Sequence, residues 1–435
     1  MAQVRPAPSE GRFDGCRFAR RRRLGVLCTL LVFPVVAPLA AGLSLAEAER
    51  LAVERDAVLR QLESESQAMG ERAVAEGQLM DPRLRFGAVN VPVDSFSLDA
   101  EDMTMVEFGV SQEFQPGRTR ELAQRQMKDS AAAAQATADD RRLAVRREVR
   151  RAWIELAYLS RARELLTDQQ SWVEQMRAAA RARYAAGEGK QLDVLQAGLD
   201  VAMLREQLLD LDRDEAMRRA QLSRWIGAED AARAGPFSLP AAGEFEPRAV
   251  LAQRLLHHPA QLDYERRLEA AEAAVDLARQ RYRPGWMLDV SYGLRSGSMG
   301  GEPRSDMLSA MVSFDLPLFR GNRQDREVAA ARADARALHE MHLDHQRGME
   351  AMLEEAWNVA ERTRRLERFY ETDLVPLAEQ SVQAALLAYQ SNRAMVDEVI
   401  LARRTALETW LKHLRLAADR AQAQFDVDYL VGETP

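Results

Sequence analysis

The fourteen residues "YAAGEGKQLDVLQA" (Tyr184–Ala197) come back 205 positions later as "YQSNRAMVDEVILA" (Tyr389–Ala402). Tyr184 aligns with Tyr389, Gly187 with Asn392, Asp193 with Glu398 and Ala197 with Ala402. Glycine is the residue that best tolerates a left-handed turn, and asparagine is the next. A carboxylate at the start of the following segment suits a helix N-terminus. Each stretch reads as a tip between two helices, and the chain as two tandem repeats.

The segments around the tips support that reading. Arg118 to Ala186 contains neither Gly nor Pro, and Val149, Ala152, Leu156, Leu159 and Leu166 recur at heptad-like spacing. One helix over 118–186 would run roughly 100 Å at 1.5 Å per residue. It needs a partner of equal length. Two shorter helical stretches, Leu43–Leu79 and Asp193–Ile226, together match it, the second with Leu195, Leu199, Ala202, Leu209 and Ala216 on a seam. In the second half the long segment is 322–391 and the shorter ones are 245–281 and 398–430, with Pro376 predicting a kink in the long one. The repeats span 43–227 and 245–432, with a linker over 228–244.

Between the first short helix and the long one, the period of each repeat falls to two. "WMLDVSYGL" (286–294) sets Trp286, Leu288, Val290, Tyr292 and Leu294 against Met287, Asp289, Ser291 and Gly293. "MLSAMVSFDLPL" (307–318) alternates likewise, and "RLRFGAVNVPV" and "MTMVEFGVSQEF" do so in the first repeat. Alternation predicts strands with one apolar and one polar or small face. The strand pairs lie within 83–115 and 286–318. Their length suits a tilted membrane strand of about 9–11 residues. Four strands do not close a barrel, for which about eight is the practical minimum. If they lie in lipid, several chains must close it.

At the N-terminus "RFARRRR" precedes an uncharged run from Leu24 to Leu43 that ends in small residues. Residues 1–42 therefore read as a secretory signal peptide. Both cysteines, Cys16 and Cys28, fall within it. Net charge is −7, and removing the leader's arginines makes the remainder more acidic. Nucleic acid is excluded as a partner on that balance. No Ser–His–Asp set, metal-ligand spacing or phosphate loop is present, so the chain does not read as an enzyme and implies no cofactor.

The order helix, strand pair, long helix, tip, helix, given twice, resembles the TolC family of outer-membrane efflux proteins. The matching residues are "SLAEAERLAVERD", "QEFQPGRTRE", "LPLFRGNRQD" and the two tips, and the resemblance covers about Leu43 to Gly432. It implies a mainly α protein with a small β part. Three chains would form a homotrimer: a 12-strand outer-membrane β-barrel, four strands from each chain, above an α-helical periplasmic tube. It implies a passive channel that docks on a periplasmic adaptor (membrane fusion) protein and an inner-membrane efflux pump, with outer-membrane lipid around the barrel. "NVPVDSF" (Asn90–Phe96) resembles members that travel with heavy-metal pumps, so cations are the expected cargo. The alternatives are a type I secretion or multidrug export channel of the same fold, and a periplasmic coiled-coil scaffold without a pore.

The resemblance also assigns site residues. Asp193, Gln196, Asp397 and Glu398 would ring the periplasmic aperture, Tyr184 and Tyr389 would tie neighbouring helices in the closed state, and Gly187 and Asn392 would make the tip turns. The segment "HEMHLDHQRGMEAM" offers His339, His342 and His345 as metal candidates, although successive steps of three spread them around one helix. A solvated helix face is the plainer account of them, and no metal site is expected. "LLHHPAQ" (His257, His258) reads as a helix entry.

Overall fold

The structure, a computed structural model, describes residues 42–240, 243, 246–299, 302–391 and 393–432. The expected leader, apart from Gly42, and Asn392 lie outside the described residues. Ten α-helices and six strands are described. The helices of the first half are α1 (Leu45–Arg55), α2 (Ala57–Glu76), α3 (Thr119–Ala185), α4 (Gln191–Ile226) and α5 (Ala228–Arg233). Those of the second are α6 (Arg248–Leu255), α7 (Pro259–Gln280), α8 (Gln324–Phe369), α9 (Val375–Gln390) and α10 (Val396–Leu430). The strands are β1 (Arg83–Val89), β2 (Met105–Phe114), β3 (Trp286–Leu294), β4 (Ser298–Met299), β5 (Glu302–Pro303) and β6 (Met307–Phe314).

Both first helices are broken where one was expected. α1 opens on a capping box: the Ser44 hydroxyl accepts from the Glu47 N–H, and the Glu47 carboxylate accepts from the Ser44 N–H at 2.9 Å. It stops at Asp56, whose carboxylate accepts from the Leu59 N–H at 2.6 Å and starts α2. Asp56 also takes the Arg141 guanidinium of α3 at 2.8 Å, which holds the break against the long helix. The equivalent break, between α6 and α7, is made by His258. Its Nδ1 accepts from the Ala260 N–H at 3.1 Å, with Pro259 at the first helical position.

The second long segment is also interrupted. Tyr370–Leu374 is a π turn, closed by the Val375 N–H donating to the Tyr370 carbonyl. Pro376 has no N–H to give the carbonyl four residues back, and the wider turn takes up its ring. α3 has no such residue and runs unbroken for 67 residues.

α3 is the axis of the packing. α1, α2 and α4 lie against it from its own half, α7 and α10 from the other, and α8 packs on α7 and α10. Its seam residues Val149, Ala152, Leu156, Leu159 and Leu166 are all buried, and Trp153 and Ile154 are buried as well. The helix is covered on more than one face there. The expected α4 seam is not in the core. Leu195, Leu199 and Leu209 are each 62% exposed, and Ala197, Leu204, Leu222 and Ile226 are buried instead. α4 thus carries two apolar stripes, one of them uncovered within the chain.

The strands form one antiparallel sheet in the order β1-β2-β3-β6. The two halves meet in it: β2 pairs with β3 from Val106–Leu294 to Phe114–Trp286. Leu84, Phe86, Phe108, Val110, Val290, Leu308 and Val312 share one face, and all are exposed. The polar face carries Arg85, whose Nη2 reaches Glu107 Oε1 at 2.8 Å and Asp289 Oδ1 at 2.9 Å. β1 and β6 are the edges, and every residue of β6 is exposed. β4 and β5 make a small hairpin inside the loop between β3 and β6.

His258 sets an expected pH response. It is fully buried, and its Nε2–H donates to the Tyr429 carbonyl at 3.0 Å, leaving Nδ1 as the acceptor that caps α7. Burial lowers its pKa from 6.5, while the Asp140 carboxylate of α3 pulls the other way and His345 of α8 and Arg147 of α3 add to the lowering. The folded protein therefore holds it neutral where the unfolded chain takes a proton. Its contribution is complete above about pH 6.5 and is lost as pH falls through the depressed folded value. The thermal midpoint is expected to drop between about pH 7.5 and about pH 5, and His258→Asn, which caps without titrating, to flatten that drop. Melting curves followed by circular dichroism check both; an equal slope in the variant removes His258 from the response.

Candidate functional site

The two tips share a backbone bond and a helix-start bond. After α3, Gly187 adopts φ +78, its N–H donates to the Tyr184 carbonyl at 3.0 Å, and the Glu188 N–H donates to Arg183 at 2.9 Å. Those two bonds are a Schellman ending, which needs the left-handed conformation that glycine provides. After α9, the Arg393 N–H donates to Ala388 at 2.8 Å, the same bond 205 positions on. The returning helices begin alike. The Asp193 carboxylate accepts from the Lys190 N–H at 3.4 Å, and Glu398 accepts from Met395 N–H at 3.4 Å.

The fold brings the tips together. One groove between them is lined by Arg183, Glu188, Lys190, Asp193, Arg393 and Glu398. A neighbouring groove is lined by Asp193, Gln196, Asp200, Asp397, Leu401 and Arg404. Asp193 lines both, so all four residues assigned to the aperture meet at this end of the molecule. They do not form a purely acidic patch, because Arg183, Lys190, Arg393 and Arg404 are interleaved with them. Asp200 lies two helical turns beyond Asp193 on the same face, and burial pushes its carboxyl up while Arg404 opposes that. The i+7 spacing was a readable signal for Asp200 and for Arg404, which stands likewise beyond Asp397.

The two tyrosines differ. Tyr389 packs on Ala197, Val396 and Ile400 beside Trp172, and the Arg183 guanidinium stands 5.5 Å from its ring centre. It ties the second tip to the first within one chain. Tyr184 is 48% exposed. Above the tips, Arg403 bonds Gln169 at 3.0 Å and lies between Trp172 and Trp410, joining α10 to α3. Nothing in the repeat pattern marked it.

The histidine segment lies in the body of α8. His342 and His345 both stack on Tyr264 of α7, at 6.1 and 4.5 Å, whereas His339 is exposed. Among the described residues no group of three or more His, Cys, Asp or Glu side chains could hold a metal ion. His342 and His345 pack helices together.

Known proteins share this architecture. The family described as "Outer membrane efflux protein" matches residues 50–228, from α1 through the first strand pair, the long helix and the first tip. Over those residues the chain is similar to the outer membrane efflux proteins. The chain is 23% identical over 255 residues to the cobalt-zinc-cadmium resistance protein CzcC of Cupriavidus metallidurans, a match covering 58% of this chain and 59% of the relative's length. Its fold is that of the outer membrane protein VceC of Vibrio cholerae, with a TM-score of 0.74 and 18% identity over 89% of this chain and 96% of that one. CusC superposes with a TM-score of 0.71 and 15% identity over 90% and 92%.

Gly187→Ala tests the tip geometry. An L side chain in the left-handed region costs about 1 kcal/mol. The tip amides are expected to exchange with deuterium faster, while those of the α3 midpoint are unchanged. Unchanged exchange at residues 184–190 would mean that the Schellman ending does not limit the tip.

Proposed function

We propose that three copies of this chain form the exit duct of a tripartite efflux system. The observation that carries the reading is the sheet. Its apolar face is exposed along all four strands, and both edges are unpaired among the described residues. In lipid that face is at home, but an open edge is not. Closure by neighbouring copies pairs β1 of one with β6 of the next, and three copies give twelve strands. The exposed α4 stripe of Leu195, Leu199 and Leu209 supports the same arrangement, since helices of adjacent copies would cover it.

In this reading the two repeats, 43–227 and 245–432 around the 228–244 linker, form the wall of a periplasmic tube. The tips close its far end, Asp193, Gln196, Asp397 and Glu398 face the aperture, and the interleaved cations hold neighbouring tips together. A carboxylate-lined aperture admits cations more readily than anions. The periplasmic adaptor docks there, and the inner-membrane pump supplies the energy. Heavy-metal cations are the cargo that the "NVPVDSF" segment and the similarity to CzcC favour.

Growth of a deletion strain across copper, silver, zinc, cobalt, cadmium, dyes, detergents and antibiotics tests the assignment. Sensitivity confined to the metals is the expected result. Sensitivity to organic compounds alone would replace the cargo and keep the duct; normal growth on every agent would remove the efflux role.

A further inference from the structure

The four strands of the sheet contain four methionines, Met105, Met287, Met307 and Met311, and the pleat puts all four on the polar face. The opposite face is carried by Leu, Val, Phe and Trp without one methionine. Partitioning by hydrophobicity alone would place methionine among the leucines. Here it stands among Ser, Gly, Asp, Glu and Arg, and Met311 is 65% exposed and Met307 40%. The thioether, not the apolar bulk, is what distinguishes these side chains from their counterparts across the sheet.

The register groups them. Glu107, Gly293 and Met307 lie in one row across β2, β3 and β6. Met105 stands two residues from Glu107 on the same face, and its sulfur occupies the space that a Cβ on Gly293 would need. Gly293 is thus the floor of a notch walled by Met105, Met307 and Glu107. Farther toward the helices, Met311 is directly opposite Asp289, and Met287 is its same-face neighbour along β3. Met287 and Met311 are diagonal partners, within reach of long side chains. Each notch therefore offers two thioethers and one carboxylate. Arg85 fixes both carboxylates through Glu107 Oε1 and Asp289 Oδ1. Oε2 and Oδ2 stay outside that bridge.

We propose that these two notches are transit sites for soft monovalent cations, Cu(I) or Ag(I), on the wall of the barrel. The proposal rests on the duct reading, which makes the polar face the lumen, and it narrows the cargo of that duct. Thioethers are soft, neutral donors that select Cu(I)-like ions over harder divalent ones such as zinc or cobalt. Two thioethers and a shared carboxylate hold such an ion weakly, which suits passage: conduction needs sites that bind enough to admit an ion and little enough to release it.

The test uses the full chain purified in detergent, with methionine methyl groups labelled with carbon-13, titrated with silver nitrate in chloride-free buffer. The methyl resonances of Met105, Met287, Met307 and Met311 are expected to shift with silver and not with zinc, while those of Met341 and Met352 on α8 stay in place. Met105→Leu with Met307→Leu, and Met287→Leu with Met311→Leu, preserve volume and remove sulfur. Each pair is expected to weaken silver binding at its notch at least tenfold by calorimetry. Should a pair fail to insert, Met311→Leu alone gives the same readout at the more exposed sulfur. Absence of silver shifts, equal shifts with zinc, or undiminished binding in the leucine variants would overturn the sites. Conductance of the unaltered protein in a planar bilayer separates the two levels. Current without silver shifts would overturn the sites and leave the duct, and silver shifts without current would remove the lumen and with it the transit role.

Discussion

A backbone amide or carbonyl in hydrocarbon must find its partner within the protein, and each chain here presents two strand edges that do not. That constraint governs how the rest of the molecule is read. A sheet of four strands with an apolar face could end in water as half of a sandwich, but nothing in the described residues covers this one. The outer leucines of α4 repeat the message outside the sheet: a stripe that ought to lie in a core lies on the surface. Both demands would be met by the same act, the lateral apposition of identical copies proposed above.

The tips show a second economy. A carboxylate reaching back to a backbone N–H opens the returning helix at both tips, Asp193 at the first and Glu398 at the second, and the first turn closes on a Schellman ending at Gly187. Because those carboxylates already cap helices, any role at an aperture is laid over a structural one. Arg183, Lys190, Arg393 and Arg404 turn the region from an acidic ring into an alternating one, and Arg183 on Tyr389 shows that the tips of one chain are already clamped to each other.

Much of the architecture was legible because it is periodic. The 205-residue offset, the 67-residue α3 and the period-two strands are written in patterns that need no tertiary knowledge. What escaped was set by single side chains or by long-range pairing. Asp56 breaks a helix inside a sequence that looks helical, because a cap is decided by one carboxylate, whereas the helix entry at His258 was legible in "LLHHPAQ". The β2–β3 ladder joins residues about as far apart as the repeat itself, and no local pattern announces it. The α4 seam was read correctly as apolar and assigned to the wrong neighbour, since a sequence shows that a face must be covered but not by which chain. At the tips the acids were found through the repeat, whereas Arg393 and Lys190 lie in turns that the two halves fill differently.

The account stands on closure of the sheet by neighbouring copies. Cys16 and Cys28 are the only cysteines of the chain, so engineered thiols report cleanly once both are replaced by serine. One cysteine on each edge strand, Gly87→Cys on β1 with Ser309→Cys on β6, should be joined in the assembled protein by a bifunctional maleimide short enough to span adjacent strands. Closure by three copies predicts a ladder of covalent dimers and trimers that stops at three, and either cysteine alone should give none. A ladder that stops at two or runs past three, or chains that remain monomeric while both cysteines react, would contradict it.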